Sequence, residues 1–364
     1  MKRIFLLLLL AFSLNAGATD NKYNFTDARD LTVIGKLTPD TSGPYSRFPG
    51  SLKGKVRDAV WGLSENSAGI AIRFSSDAGE FKARWTTAKS HPHENMTYIL
   101  QAGMALYVFD KGEWVYVGSF RPGNAQKADP REFVIKCSKL AGASHEYMLY
   151  LGMYDSFTSV EIGVPEGSCI EMPKLESPGR SNPVIAYGTS ILQGASASHP
   201  GLAGTNLLSR MLDREVINLG FSGNALLDME VAEYMASFPT PGAYILDNAP
   251  NCSGDLILEK QEAFFRILRD AHPETPIFFV GMPLYPRVRF DNTGAENILG
   301  RHDAMLEVFK HLKKSGEKNI YYISADKVIL DDNIGTIEGT HFTDIAFERW
   351  ASAVAKALKR KLKD

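Results

Sequence analysis

Apolar and polar positions follow two different periods along the chain. From Val60 to about Gly163, short alternating or wholly apolar runs are separated by turn residues: AGIAIRFSSDAGEFKARW, YILQAG, ALYVFDKGEWVYVG, REFVIKC, YMLYLG and SVEIGV. Alternation at period two is what a half-buried strand requires, and Lys111-Gly112 between two aromatic runs marks a hairpin. The stretch therefore predicts an all-β domain, a sandwich. A segment rich in proline and polar residues, EMPKLESPGRSNP at 171–183, reads as a linker, which sets the first domain at 19–172, the linker at 173–183 and the second domain at 184–364.

After the linker the period lengthens. Strand-like runs (VIAY, EVINLGF, AYILDNA, PIFFVGM, NIYYISA) alternate with amphipathic segments of helical length, from GLAGTNLLSRML to FERWASAVAKALKRKL. In LILEKQEAFFRILRDA, residues Ile257, Phe264, Leu268 and Ala271 fall on one helical face, as a helix covering a sheet requires. This βαβα order predicts a five-stranded parallel sheet with helices on both sides. Ligands of such sheets bind beyond the carboxyl ends of the strands.

Composition narrows the picture. With 364 residues, 44% hydrophobic, the chain can bury two moderate cores, and a net charge of -2 with 23% charged residues leaves no basic field for nucleic acid. The C-terminal KALKRKLKD reads as the solvated end of a helix. Residues 1–18, MKRIFLLLLLAFSLNAGA, place Lys2 and Arg3 before a short apolar run and Ala16-Gly17-Ala18 after it, the pattern of a signal peptide cleaved near Ala18. The expected product is exported, periplasmic or secreted, with no membrane insertion after cleavage. Cys137, Cys169 and Cys252 match neither zinc spacing nor a disulfide framework, and burial as small apolar residues is the expectation for all three.

Candidate chemistry sits at the ends of the later strands. Ser190 follows the first of them in VIAYGTS; a serine hydroxyl becomes a nucleophile only when a base removes its proton. The run TIEGTHFTDIAFERWA offers Glu338 and His341 three residues apart, ahead of a helix with Thr343 as its expected N-cap. Acyl transfer also needs donors for the tetrahedral oxyanion. Gly223, in NLGFSGNA, and Asn251, in LDNAPN, stand in loops that can supply them. Taken singly, each residue reads as readily as a loop, cap or turn residue; their joint placement beside strand ends is what singles them out.

The segments GTS with Ser190, FSGN with Gly223, APN with Asn251 and EGTH with His341 resemble the four signature blocks of the SGNH hydrolases, the GDSL esterase/lipase superfamily. The resemblance extends to the first domain, where AGIAIRFSSDAGEFKARW and GMALYVFDKGEWVYVG are similar to the β-sandwich named for a Gly-x-Asp-Leu-Tyr motif. It implies a flavodoxin-like α/β/α three-layer sandwich and a serine esterase needing no cofactor and no metal. Ser190 would be the nucleophile and His341 the general base, with Glu338 behind it. The backbone N–H groups of Ser190 and Gly223 and the Asn251 amide would form the oxyanion hole. Three positions depart from the family pattern: Thr189 replaces the Asp of Gly-Asp-Ser, Glu338 replaces an Asp, and Ala105 replaces the motif's Asp in the first domain. The longer Glu338 leaves a backbone carbonyl, Asp331 or Asp332 as other groups that can orient the imidazole.

Relatives with this architecture include carbohydrate esterases, so the resemblance implies removal of acetyl groups from a glycan; the oligomeric state is left open. A lipid or thioester acylhydrolase with the same machinery, and a catalytically silent glycan-binding protein, are the rival readings. Tyr45, Phe48, Tyr285 and Phe290 can stack on sugar rings or simply pack. Arg287 and Arg289, in the loop 282–297 bordering the expected crevice, can contact substrate or water. The run 90–93, Ser-His-Pro-His, reads as an exposed loop rather than a metal site.

Overall fold

The computed structural model describes residues 23–88, 93–123, 129–176, 182–325, 328–329 and 334–362. The signal-like segment 1–18, residues 90–92 of the histidine-containing run, and Asp331 and Asp332 lie outside them.

Ten antiparallel strands come first: β1 Tyr23–Asp27, β2 Thr32–Ile34, β3 Ala71–Ser76, β4 Glu80–Thr87, β5 Met104–Asp110, β6 Glu113–Phe120, β7 Arg131–Lys136, β8 His145–Leu151, β9 Phe157–Pro165 and β10 Ile170–Glu171. They form one sheet in the order β1-β9-β4-β7 and a second in the order β10-β3-β8-β5-β6, with β2 pairing β3. Strand β4 buries Phe81, Ala83 and Trp85 and turns the intervening side chains outward, the alternation that fixes strand register. Those residues meet Phe74 and Tyr147 of the facing sheet. The hairpin between β5 and β6 turns at Lys111 and Gly112, both at positive φ (50° and 90°), as expected from the sequence.

YILQAG is not a strand. Tyr98–Ala102 is a helix, α2, because Thr97 caps it: its hydroxyl accepts from the backbone N of Leu100 at 3.0 Å. A further helix, α1 at Asp58–Ser64, also falls outside the strand pattern.

The remaining strands are β11 Val184–Gly188, β12 Val216–Gly220, β13 Ala243–Asp247, β14 Ile277–Val280 and β15 Ile320–Ile323. All pair in parallel, in the order β12-β11-β13-β14-β15. Intervening helices are α3 Ser190–Gln193, α4 Gly204–Leu212, α5 Met229–Ala236, α6 Gly254–Ala271 and α7 Asn292–Lys314, and α8 Asp344–Leu358 follows β15. Strands β11, β12, β13 and β14 are buried throughout, as a sheet covered on both faces demands. On α6, Ile257, Phe264 and Leu268 are buried as expected, but Ala271, the last residue of the helix, is exposed.

The second antiparallel sheet is covered on its other side as well. Ala105, Tyr107, Met148 and Tyr150 form a separate buried cluster, and Arg210 of α4 lies over the Tyr107 and Tyr150 rings at 4.3 and 5.3 Å. Gly201 is required there: a Cβ would sit 2.3 Å from the Tyr107 hydroxyl. Ala105, where the first-domain motif has Asp, is fully buried in this contact, where a carboxylate would be stripped of water. Arg47 crosses to the parallel sheet more deeply still. Its guanidinium, 1% exposed, donates to the carbonyls of Asn66, Leu63, Asn218 and Gly220 at 2.5–3.2 Å.

The three cysteines are free, and only Cys252 is fully buried. Cys169 is exposed and Cys137 half-buried, against the expectation of burial for all three.

Candidate active site

Ser190 stands two residues beyond β11, the strand flanked by β12 and β13, so the loops after those strands border it on both sides. Thr189 caps the short helix α3 with its hydroxyl, 3.3 Å from the backbone N of Ile191. The family's Asp is thus replaced by another residue with a capping oxygen. The turn is tight on the strand side, since a Cβ on Gly188 would lie 2.6 Å from the Asp247 carbonyl. Behind the turn, the Ser190 carbonyl accepts from the backbone N of Gly194 (3.0 Å) and Ala195 (2.9 Å) and from the Tyr154 hydroxyl at 3.3 Å.

His341 sits on a turn closed by the Thr336–Phe342 bridge and by Gly339 at φ 91°. Its Nε2 lies 2.9 Å from Ser190 Oγ. On the other side of the ring, Nδ1 lies 2.8 Å from Oε1 of Glu338, which also accepts from the His341 backbone N at 3.0 Å. The extra methylene of Glu338, relative to Asp, lets the side chain fold back onto its own turn. Thr343 is the N-cap of α8 by position, but its hydroxyl donates to the Ile334 carbonyl at 2.6 Å and caps nothing. It ties the histidine turn to the preceding segment instead.

Gly223 adopts φ 65° in the loop after β12. A Cβ there would meet nothing within 4 Å, so backbone conformation, and not a close approach within the chain, is what calls for glycine. The neighbouring Asn224 carbonyl receives the Asn251 amide at 2.5 Å, which joins the loops after β12 and β13. Ser190, His341 and Glu338 are therefore in direct hydrogen-bonding contact, while Gly223 and Asn251 form the flanking pair of loops.

Four further residues reach this region, all from the antiparallel half. Asn95 places its side-chain amide 3.1 Å from His341 Nδ1. Tyr154 holds the Ser190 carbonyl, with its hydroxyl also within reach of Ser222. Arg57 donates to Asn224 Oδ1 at 2.9 Å and pairs with Asp228, and Arg47 holds Gly220 just ahead of the loop. None carries a motif, and contacts spanning 36 to 246 residues of chain leave no mark on local periodicity.

Asp247, level with Gly188 across the sheet, is fully buried, and burial raises its carboxyl to about 7 against the opposing pull of the Trp350 Nε1–H at 3.1 Å. Tyr45, Phe48 and Tyr285 are buried in packing, whereas Phe290 is 80% exposed with Arg289 over its ring. A cavity of about 500 Å³ lined by Asn182, Arg214, Gly242 and Asn319 opens at the opposite, amino end of the sheet and contains none of the groups above. No described helix is long and apolar enough to cross a membrane.

Comparison with known proteins agrees with this architecture. The profile of the GDSL-like Lipase/Acylhydrolase family matches residues 181–359, and that of the N-terminus of SGNH-type esterases, the GxDLY domain, matches 23–170. A crystal structure assigned as a GDSL-like lipase from Bacteroides ovatus ATCC 8483 is 33% identical, with a TM-score of 0.87 over 94% of this chain and 99% of that one. Two more distant structures share the fold. The salicylyl-acyltransferase of a tetracycline biosynthetic pathway has 18% identity and a TM-score of 0.73 over 93% and 97% of the two chains. An acetyl xylan esterase from the rumen bacterium Butyrivibrio proteoclasticus has 11% identity and a TM-score of 0.53 over 93% and 98%. No curated protein matches the sequence. The chain belongs to the GDSL-like lipase/acylhydrolase family of SGNH-type ester hydrolases, with the GxDLY domain preceding its hydrolase fold.

Proposed function

We propose that this hydrolase removes acetyl groups from an oligo- or polysaccharide by a serine mechanism, after export directed by residues 1–18. The observation that carries the reading is the unbroken line of contacts from Ser190 Oγ to His341 Nε2 (2.9 Å) and from Nδ1 to Glu338 Oε1 (2.8 Å). With Glu338 as acceptor, Nδ1 holds the ring proton, which leaves the Nε2 lone pair facing the hydroxyl. Ser190 Oγ attacks the ester carbonyl as its proton passes to Nε2. The backbone N–H groups of Ser190 and Gly223 and the Asn251 amide receive the oxyanion, and the imidazolium then protonates the departing sugar oxygen. Water, deprotonated by the same nitrogen, releases acetate from the acyl-serine and restores the enzyme. Nothing in this sequence requires a metal or cofactor.

The glycan half of the proposal is supported by the shared two-part architecture with an acetyl xylan esterase and by the arginines and exposed Phe290 after β14. Mass spectrometry of acetylated oligosaccharides incubated with the protein tests it: loss of acetyl is expected from the parent and not from Ser190→Ala. Cleavage of long-chain aryl esters in preference to acetates would favour a lipid acylhydrolase instead. Failure of an organophosphonate to label Ser190 would refute the serine mechanism altogether.

A further inference from the structure

The imidazole of His341 has more neighbours at Nδ1 than its own turn provides. Glu338 Oε1 stands at 2.8 Å and the side-chain amide of Asn95, placed with Nδ2 toward the ring, at 3.1 Å. A ring nitrogen has one in-plane position, filled by a proton or by a lone pair. A bare Nδ1 would face a carboxylate oxygen lone pair to lone pair, so Nδ1 carries the proton. Half a turn of the Asn95 amide exchanges its oxygen and nitrogen without change of shape, and Oδ1 is the end that satisfies Nδ1–H.

The loop that carries Asn95 is held from both halves of the chain. The Asn95 carbonyl accepts from Ser196 Oγ at 2.8 Å, and Thr97 Oγ1 donates to the Ser198 carbonyl at 2.7 Å. On the sandwich side the fully buried Gln101 accepts from the backbone N of His93 at 3.2 Å and donates to the Met96 carbonyl at 3.4 Å. Ser198 in turn binds the Asp344 carboxylate, at the start of the helix that follows His341, at 2.8 and 2.5 Å. Such anchoring fixes an amide in place, which a freely moving surface asparagine would not achieve.

We infer that Asn95 is a positioning residue for His341, supplied by the antiparallel half, whose amide oxygen shares the Nδ1 proton with Glu338 and steadies the imidazolium formed during acyl transfer. This inference rests on His341 being the base. Other titratable groups about the ring do not substitute for it. Glu338 lies on the same turn, and Asp344 is taken by Ser198. Tyr285, close enough to Glu338 to feel its charge, has its hydroxyl pKa driven up by burial and stays neutral. His93, on the Asn95 loop, has its ring against Tyr154.

The test is an NMR titration of histidine side chains in the parent, Asn95→Ala and Asn95→Asp proteins, with His341 identified by its loss in His341→Gln. In Asn95→Asp the His341 midpoint rises by about one pH unit, because a second carboxylate beside Nδ1 favours the imidazolium. In Asn95→Ala it falls, and kcat falls about tenfold. The acid limb of the kcat/KM profile moves in the same directions. Midpoints that stay in place in both variants, with melting temperatures unchanged, overturn the inference. So does a loss of kcat with the acid limb unmoved, the mark of a merely structural role. The titration needs no turnover, so its outcome is separate from that of the esterase reading, which Ser190→Ala decides.

Discussion

One oxygen of Glu338, Oε1, serves His341 twice: it accepts from the backbone N at 3.0 Å and faces the ring Nδ1 at 2.8 Å. The carboxylate therefore sets the shape of the turn as well as the tautomer of the ring. Its side chain is 41% exposed, so water screens its charge. Glu338→Ala is expected to lower kcat on an aryl acetate by about 10–100-fold, less than the roughly 10⁴ that follows loss of correct tautomer support in a buried triad. Glu338→Gln keeps an acceptor oxygen and loses the charge, so its kcat falls between those of the parent and the alanine variant. Equal rates in Glu338→Ala and parent would remove the residue from the mechanism.

Asn251 is expected to act through its second amide hydrogen, since the first is committed to the Asn224 carbonyl. Asn251→Ala should reduce kcat by about 10²–10³ with little change in KM, the pattern of a donor used in the transition state. Steady-state kinetics on a short-chain ester decide the matter; a rise in KM alone would place Asn251 in ground-state binding instead.

Arg47 is a buried cation with four carbonyl acceptors and Phe221 beneath it at 4.9 Å, and among the described residues no carboxylate pairs with it. Burial pulls its pKa down to about 9. Replacing it with methionine leaves four carbonyls short of a donor, at a cost of about 3 kcal/mol or more. Urea unfolding should show that loss. Arg47→Lys should recover only part of it, because one ammonium cannot span all four acceptors.

A buried carboxyl and a half-buried imidazole are expected to make stability respond to pH in opposite senses. Asp247, raised to about 7 by burial, keeps a proton in the folded state that the unfolded chain releases near pH 4. Between about pH 4 and 7 it therefore lowers stability as pH rises, by about 1.4 kcal/mol per pH unit. His199, stacked on Tyr116 at 4.4 Å, is pushed down to about 4 by partial burial and holds fewer protons than the unfolded residue, with solvent screening reducing its effect. Between about pH 4 and 6.5 it raises stability as pH rises, with a smaller slope than that of Asp247. Relative to the parent, Asp247→Asn should then gain more stability as pH rises across that window, and His199→Gln should gain less or lose it. Unfolding free energies with the same pH slope in all three proteins would contradict both assignments.

The sequence revealed most where a local rule operates. Val184–Gly188 and its parallel partners were legible because strands buried on both faces are continuously apolar, and the Lys111-Gly112 hairpin because two residues there need positive φ. YILQAG misled because a six-residue, mostly apolar run fits either period, and the deciding signal was a single hydroxyl, that of Thr97. The Glu338–His341 contact was readable from a three-residue spacing. Asn95 was not: it lies 246 positions from His341 in a loop with no periodicity, and contacts distant in sequence, from Ser196 and between Thr97 and Ser198, hold that loop beside the ring.

The reach of Asn95, Arg47, Arg57 and Tyr154 into the hydrolase half bears on how such a protein can evolve. Arg47 and Arg57 hold the end of β12 and the loop after it, Tyr154 the Ser190 turn and Asn95 the His341 turn, so an unrelated front portion would leave all three segments without these contacts. Recombination at the connector would yield offspring with every strand present but with the Ser190 and His341 turns lacking these partners. The contacts therefore tie the retention of one half to the presence of the other.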